Sequence, residues 1–321
     1  FGHEDTHGMV NNLTRGYDGW IYACHGFTNI SEITAADGHG ISMTSGNTFR
    51  FKEDGSRVEQ TTYGRVNPFG FAFDEWGYLY SSDCHSKPIY QLIPQGDYPH
   101  FGKIPPALGF APEMMGYNLG STALAGLSLY TSDQFPEEYQ NCFYSGDVVT
   151  CRIDRNTMTF DGSTPIAQKK EPLLISRDPW FRPVDVKVGP DGAVYVADFY
   201  NRIIGHYEVP LDHKDRDRTS GRIWKITYEG EENDTKRPSP KEDIQYYLQQ
   251  LSNTSLKTRM DATNFIVDHW SQSAVAPINA LLQTANVDTY AFVHGLWALH
   301  RLGALKNGMI NEALEHTDPL V

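Results

Sequence analysis

Four stretches of this sequence repeat one pattern, a turn carrying glycine followed by a short strand of β-branched and aromatic residues. The copies run from Gly16 to Tyr22, from Glu75 to Tyr80 and from Pro190 to Val196. A looser copy runs from Gly126 through Phe135 and Pro136 to Asp147. Gly19 and Gly77 lie 58 positions apart, and Gly77 and Gly192 lie 115 apart, about two such periods. A period of this length with several short strands per unit is the signature of a β-propeller. In such a fold the loops of every blade converge on the central axis, so the repeat also says where chemistry belongs.

Composition narrows the function classes. Lys and Arg number 27 against 40 Asp and Glu, a net charge of −13. That leaves no basic excess to displace counterions, so nucleic acid is not expected as a partner. The 18 tyrosines suit half-buried strands. No run of 18 apolar residues is present, so no membrane span is expected. The sequence opens at Phe1 without a leader, and about four blades fit before residue 228. The expectation is an incomplete propeller from a longer protein, its missing blades lying upstream or supplied by another chain.

Composition then changes. Residues 1–228 read as the β-propeller, 229–240 as a charged linker with two prolines, and 241–321 as α-helical. Ser239 and Glu242 make a capping box with Pro240 at the first helical position. Helices are expected at about 256–269, 274–285, 288–303 and 307–316, and Lys257–Trp270 resembles Thr289–Gly303. Paired helices at that spacing read as a HEAT-like solenoid, or alternatively as a small irregular cap.

Several groups carry chemical potential. His3-Glu4-Asp5-Thr6-His7 matches HExxH, which binds zinc only on a helix. Here it runs into a turn and a strand, and His7 is expected at the inner end of a blade. Cys24-His25 and Cys84-His85 end two equivalent strands. With His3 and His7 they could form a transition-metal cluster, or simply be positions preserved by blade duplication. Cys142 and Cys151 flank a hairpin, either as a cross-strand disulfide or as two free thiols.

The segment Gly64–Phe73, with Arg65, Asn67 and Pro68, then Gly77–Tyr80, Ile89–Ile93 and Gly96–Pro99, resembles the Arg-Asn-Pro blade of soluble pyrroloquinoline quinone (PQQ) glucose dehydrogenases and sorbosone dehydrogenases. His7 resembles the catalytic histidine of that family, and Arg182 with the turn Gly189–Gly192 its further cofactor arginine. Together with HEDTHGMVNN, VNPFGFAFD and the helical tail, the chain is similar to the sorbosone dehydrogenase-like "membrane-bound dehydrogenase" proteins of planctomycetes and verrucomicrobia.

The resemblance implies a sugar or polyol substrate, PQQ and Ca2+ as cofactors, and a cytochrome or haem domain as electron acceptor. It also implies an exported, periplasmic location. It makes His7 the general base and puts Arg65, Asn67 and Arg182 on the quinone, with Asp83 and His85 near the calcium ion. This sequence departs from the pattern in three ways: no lysine stands at Ser145-Gly146-Asp147, Val66 separates Arg65 from Asn67, and two Cys-His pairs end the strands. The second reading is therefore a non-catalytic binding propeller with a helical scaffold.

Overall fold

The computed structural model describes residues 1–84, 87–100, 113–120, 123–205, 209–229 and 242–321. The chain is mainly β and propeller-like. Blade 1 comprises β1 (Asn11–Arg15), β2 (Ile21–His25), β5 (Asn47–Phe51) and β6 (Val58–Gly64). A separate hairpin, β3 (Ile30–Thr34) and β4 (Gly40–Thr44), is inserted between β2 and β5. Blade 2 is β7 (Pro68–Phe73), β8 (Leu79–Asp83) and β9 (Tyr90–Leu92). The short β10 (Asp97–Tyr98) crosses back and pairs parallel with β6. Blade 3 is β11 (Leu124–Tyr130), β12 (Cys142–Asp147), β13 (Arg152–Asp161) and β14 (Thr164–Ile175). Blade 4 is β15 (Pro183–Val188), β16 (Val194–Asp198) and β17 (Arg222–Ile226).

Strand alternation explains the stacking. Successive side chains point to opposite faces, so neighbouring residues serve different junctions. Phe71 and Leu79 pack with Cys24 between blades 1 and 2. Ala72 and Tyr80, one residue on, pack with Leu127 and Phe143 between blades 2 and 3. Tyr144 in turn faces Val186, Val194 and Val196 of blade 4. The hairpin β3–β4 covers the other face of blade 1, where Met43 packs on Ala23 and Phe49.

The innermost strands approach backbone to backbone. A Cβ on Gly70 of β7 would stand 2.5 Å from the Gly126 carbonyl carbon of β11, and one on Gly126 would stand 2.7 Å from Val186 N of β15. Each innermost strand also shifts register against its neighbour partway along, between Asn11 and Thr14, Pro68 and Phe71, Ala125 and Ser128, and Pro183 and Asp185. Such bulges add twist and re-aim side chains where blades converge.

The helices are α1 (Ile244–Gln250), α2 (Leu256–Phe265), α3 (Val275–Leu282), α4 (Thr289–Arg301) and α5 (Asn307–Leu314). The expected capping box does not start the first helix. Ser239 and Pro240 lie outside the described residues, Glu242 precedes the helix, and Asp243 caps it by accepting from Gln245 N. The two segments expected to be copies also differ. α2 passes into a π-helical turn over Ile266–Trp270, whereas α4 runs unbroken.

The helices pack on one side of the blades. Arg15 pairs with Asp268 at 2.5 Å, Glu75 with Arg259 at 2.7 Å, and Leu256 N donates to Thr131 Oγ1. All three blade residues sit where an innermost strand turns into the next. The described helices therefore brace the turn face, opposite the strand-end face of the blades.

Candidate functional site

The strand-end face gathers the residues that precede each innermost strand and those that end its neighbour. Blade 1 contributes His7 and His25, blade 2 contributes Arg65, Asn67 and Asp83, blade 3 Asp147, and blade 4 Arg182 and Asp198. Antiparallel pairing brings each pair of ends together, as between Pro68 and Asp83 or Pro183 and Asp198.

His7 is half-buried on a loop of turns and bends, so the HExxH spacing does not form a helix here. Its backbone N–H donates to Asp5 Oδ1 at 2.8 Å. Asp5 is held in turn by Asn29, whose side chain accepts from Asp5 N and donates to Asp5 O. Gly26 N also donates to Gly8 O. The loop bearing His7 is thus clasped onto the loop after β2. The sequence reading missed Asp5 and Asn29; a buried Asn beside a Gly-rich turn leaves no periodic signal.

Arg65 is completely buried with φ +68°. Its Nη1 donates to Ser81 Oγ at 2.6 Å, while Nε and Nη2 have no hydrogen-bond partner among the described residues. Those two donors form one edge of the guanidinium, the edge that grips a carboxylate bidentately. Asn67 is nearly buried, and its Oδ1 accepts from Phe27 N at 2.7 Å. Arg182 spends its guanidinium on the protein itself. Nε donates to Asn201 O, Nη1 to Val148 O at 2.6 Å, and Nη2 to Arg202 O.

Asp83 accepts from Val66 N at 2.8 Å and from Asn67 N at 3.3 Å. Asp198 does the same for Arg182 N at 2.8 Å and adds Trp224 Nε1 at 2.9 Å. These carboxylates lock the start of the neighbouring innermost strand. The sequence carried a signal for them: Tyr80 and Tyr195 each precede such an aspartate by three residues.

Of the two alternatives for the Cys-His pairs, the metal cluster is not assembled among the described residues. His25 is buried with both ring nitrogens engaged, Nδ1 with Ser45 O and Nε2 with Ser31 Oγ, each at 2.8 Å. Burial lowers its pKa, keeping the ring neutral. His3 is exposed, and His85 lies outside the described residues. Cys24 faces blade 2, where burial pushes its thiol up to about 12. No three His, Cys, Asp or Glu side chains among the described residues group as a metal site. The disulfide alternative is also corrected. Cys142 stands opposite Thr157, Cys151 lies in the turn, and all four cysteines are free thiols.

Radially stacked blades with a loaded strand-end face define a propeller-type protein. Residues 1–230 match the family described as a domain of unknown function, DUF7133, and the chain belongs to that family. It is 30% identical over 168 residues to the aldose sugar dehydrogenase YliI of Escherichia coli (strain K12). That match covers 45% of this chain and 42% of the relative, so the chain spans less than half of it. Among solved structures, the PQQ-bound aldose sugar dehydrogenase of Streptomyces coelicolor is 18% identical with a TM-score of 0.45, covering 68% of this chain and 62% of that one. The apo aldose sugar dehydrogenase of Escherichia coli is 23% identical with a TM-score of 0.38, covering 58% and 60%.

Proposed function

We propose that this chain forms part of a sugar-oxidising propeller of the quinone-dependent aldose dehydrogenase type, acting on a sugar or polyol at its strand-end face. One observation carries the reading. A buried arginine keeps a bidentate carboxylate-binding edge unfilled on the same face as a half-exposed histidine. The similarity to an aldose sugar dehydrogenase supports it independently.

PQQ carries carboxylates, and the buried, unpartnered edge of Arg65 would take one of them once uncovered. When bound, the quinone supplies a two-electron acceptor for the carbinol hydrogen. His7 would take the hydroxyl proton at a ring nitrogen, the general-base role that imidazole most often fills. Asp5 and Asn29 would hold the His7 loop at a fixed distance from the substrate. Asn67 and Arg182 would act one step back, by fixing the loops around Arg65 and His7. The calcium ion of this reading would draw on His85 and on Asp83, whose oxygens already accept two backbone N–H groups. Electrons would leave to a cytochrome or haem domain in the periplasm. Among the described residues no helix is long and apolar enough to cross a membrane.

The second reading, a binding propeller, is favoured by one fact: Arg182 donates to backbone carbonyls rather than into open space. Reconstitution separates the two. The chain given PQQ, calcium and an artificial electron acceptor should bind the quinone and oxidise aldoses. Arg65→Ala should lose quinone affinity, and His7→Ala should keep the affinity but lose turnover by roughly 100-fold or more. Failure to bind PQQ at all would favour the binding module.

A further inference from the structure

Two adjacent strands of blade 3 enclose a cluster of buried polar atoms that lack hydrogen bonds. On β12 and β13, Ser145 stands opposite Asp154, Asp147 opposite Arg152, and Phe143 opposite Asn156. Alternation puts these side chains on the face toward blade 2, where Phe143 packs on Tyr80 with ring centroids 5.0 Å apart. Residues 113–120 lie across them. Tyr117 Oη donates to Asn156 Oδ1 at 2.6 Å, and Arg152 Nη2 donates to Leu119 O at 3.1 Å.

Ser145 and Asp154 are 1% exposed, and Asp147 and Asn156 are fully buried. Yet among the described residues Ser145 Oγ, Arg152 Nε, Asn156 Nδ2 and both carboxylate oxygens of Asp154 find no hydrogen-bond partner. Arg152 Nε stands 2.9 Å from Asp154 Oδ1 and Nη2 stands 3.6 Å from Asp147 Oδ2, ion contacts without hydrogen-bond alignment. Asp147 Oδ1 also accepts from Val149 N and Thr150 N, so the oxygens left over are those of Asp154 and Ser145. Buried polar groups without partners are costly, and so many on two paired strands point to an occupant.

The available atoms are those of an oxygen donor set. Asp154 offers two oxygens and Ser145 a hydroxyl aimed at the same face. Asn156 offers its carbonyl if the amide is turned over, which lets Nδ2 donate to Tyr117 Oη instead; the two amide orientations differ only in which atom is assigned as nitrogen. Arg152 has an outlet toward the Leu119 carbonyl, away from the carboxylates. No thiol or imidazole takes part, so the set suits a hard cation rather than zinc or copper.

We propose that Asp154, Ser145 and Asn156 form a calcium-binding site at the junction of blades 2 and 3. It is separate from the quinone-linked calcium of the functional reading, because it shares no residue with Asp83 or His85. Bound calcium would tie the two strands to each other and hold the junction beneath residues 113–120.

The test uses the whole chain, stripped of metal and free of quinone. Calorimetric titration with CaCl2 should show a saturable site tighter than about 1 mM. Terbium bound there should emit when tyrosine is excited, and Tyr117→Phe should dim that emission while calcium is still taken up. Asp154→Asn should abolish binding, and Ser145→Ala should weaken it roughly tenfold or more. If Asp154→Asn does not fold, Ser145→Ala decides, since it removes a single atom that has no partner. The proposal is overturned if no saturable uptake occurs, or if both variants bind calcium as the native chain does. The first result would leave water to satisfy the cluster, and the second would put calcium elsewhere.

Discussion

At the level of single residues, two kinds of position hold the blades in place. Glycines permit the innermost strands to touch, and aspartates fasten their ends. Gly126 illustrates the first: φ is +69°, and an added Cβ would meet Asp185 and Val186 N at under 3 Å. Gly126→Ala should therefore cost roughly 3 kcal/mol of stability, read as a drop in the denaturant midpoint. A loss within experimental error would mean that β11 and β15 do not approach as described. The turn glycines at 19, 77 and 192 were legible in the sequence because each opens a strand after an acidic or aromatic residue. Gly70 and Gly126 were not, since their reason lies in a neighbouring blade. Likewise Arg65 was legible as a cationic contact, but its burial depends on Ser81 and on β10 crossing back to blade 1.

Among elements, the contact of α2 and α4 with the turns of blades 1 and 2 buries a charged group. Arg259 is fully buried, donating to Asn253 O, Thr254 O and Glu75, with its Nε 3.3 Å from His294 Nε2. Thr263 Oγ1 meets His294 Nδ1 at 2.8 Å, and the Tyr17 ring lies against the imidazole. Burial, followed by the Arg259 charge, lowers the His294 pKa to about 3. Between that value and the unfolded value near 6.5, the unfolded chain binds more protons than the folded one. Stability is therefore lost as pH falls through this window, by about 1.4 kcal/mol per unit for this group at full effect. Burial raises Asp74 to about 7, and it works in the opposite sense over the same range. The comparison that isolates His294 is the native chain against His294→Gln, by denaturant unfolding from pH 7 to pH 4. The variant should lose stability less steeply on acidification. Parallel slopes would show that His294 is not held neutral. Helix existence was readable from periodicity, but the π turn after α2 was not, because it forms where Trp270 and Phe265 pack on Tyr247.

For the whole molecule, the division of faces is the organising fact. The helical tail buries Tyr17, Leu256 and Val293 together against the turn face, so the tail and the blades share a core there. The sequence showed the blade period and the change to helix near residue 240. It could not show which side the helices take, because that depends on partners such as Glu75 and Arg259 that are 184 positions apart. Nor could it separate residues that merely end strands from those that face a ligand. Asp83 and Asp198 have the same place, and each accepts from the backbone N–H just before an innermost strand, a role that only contacts reveal.

The claim on which the functional reading depends is that ligands meet the strand-end face. Hydrogen–deuterium exchange of the chain, with and without PQQ, calcium and an aldose, tests it most directly. The account predicts new protection at residues 3–8, at 65–67 and around 26–29, with no change at 16–19 or 74–78 beneath the helices. Protection confined to those turns, or none anywhere at saturating ligand, would contradict it.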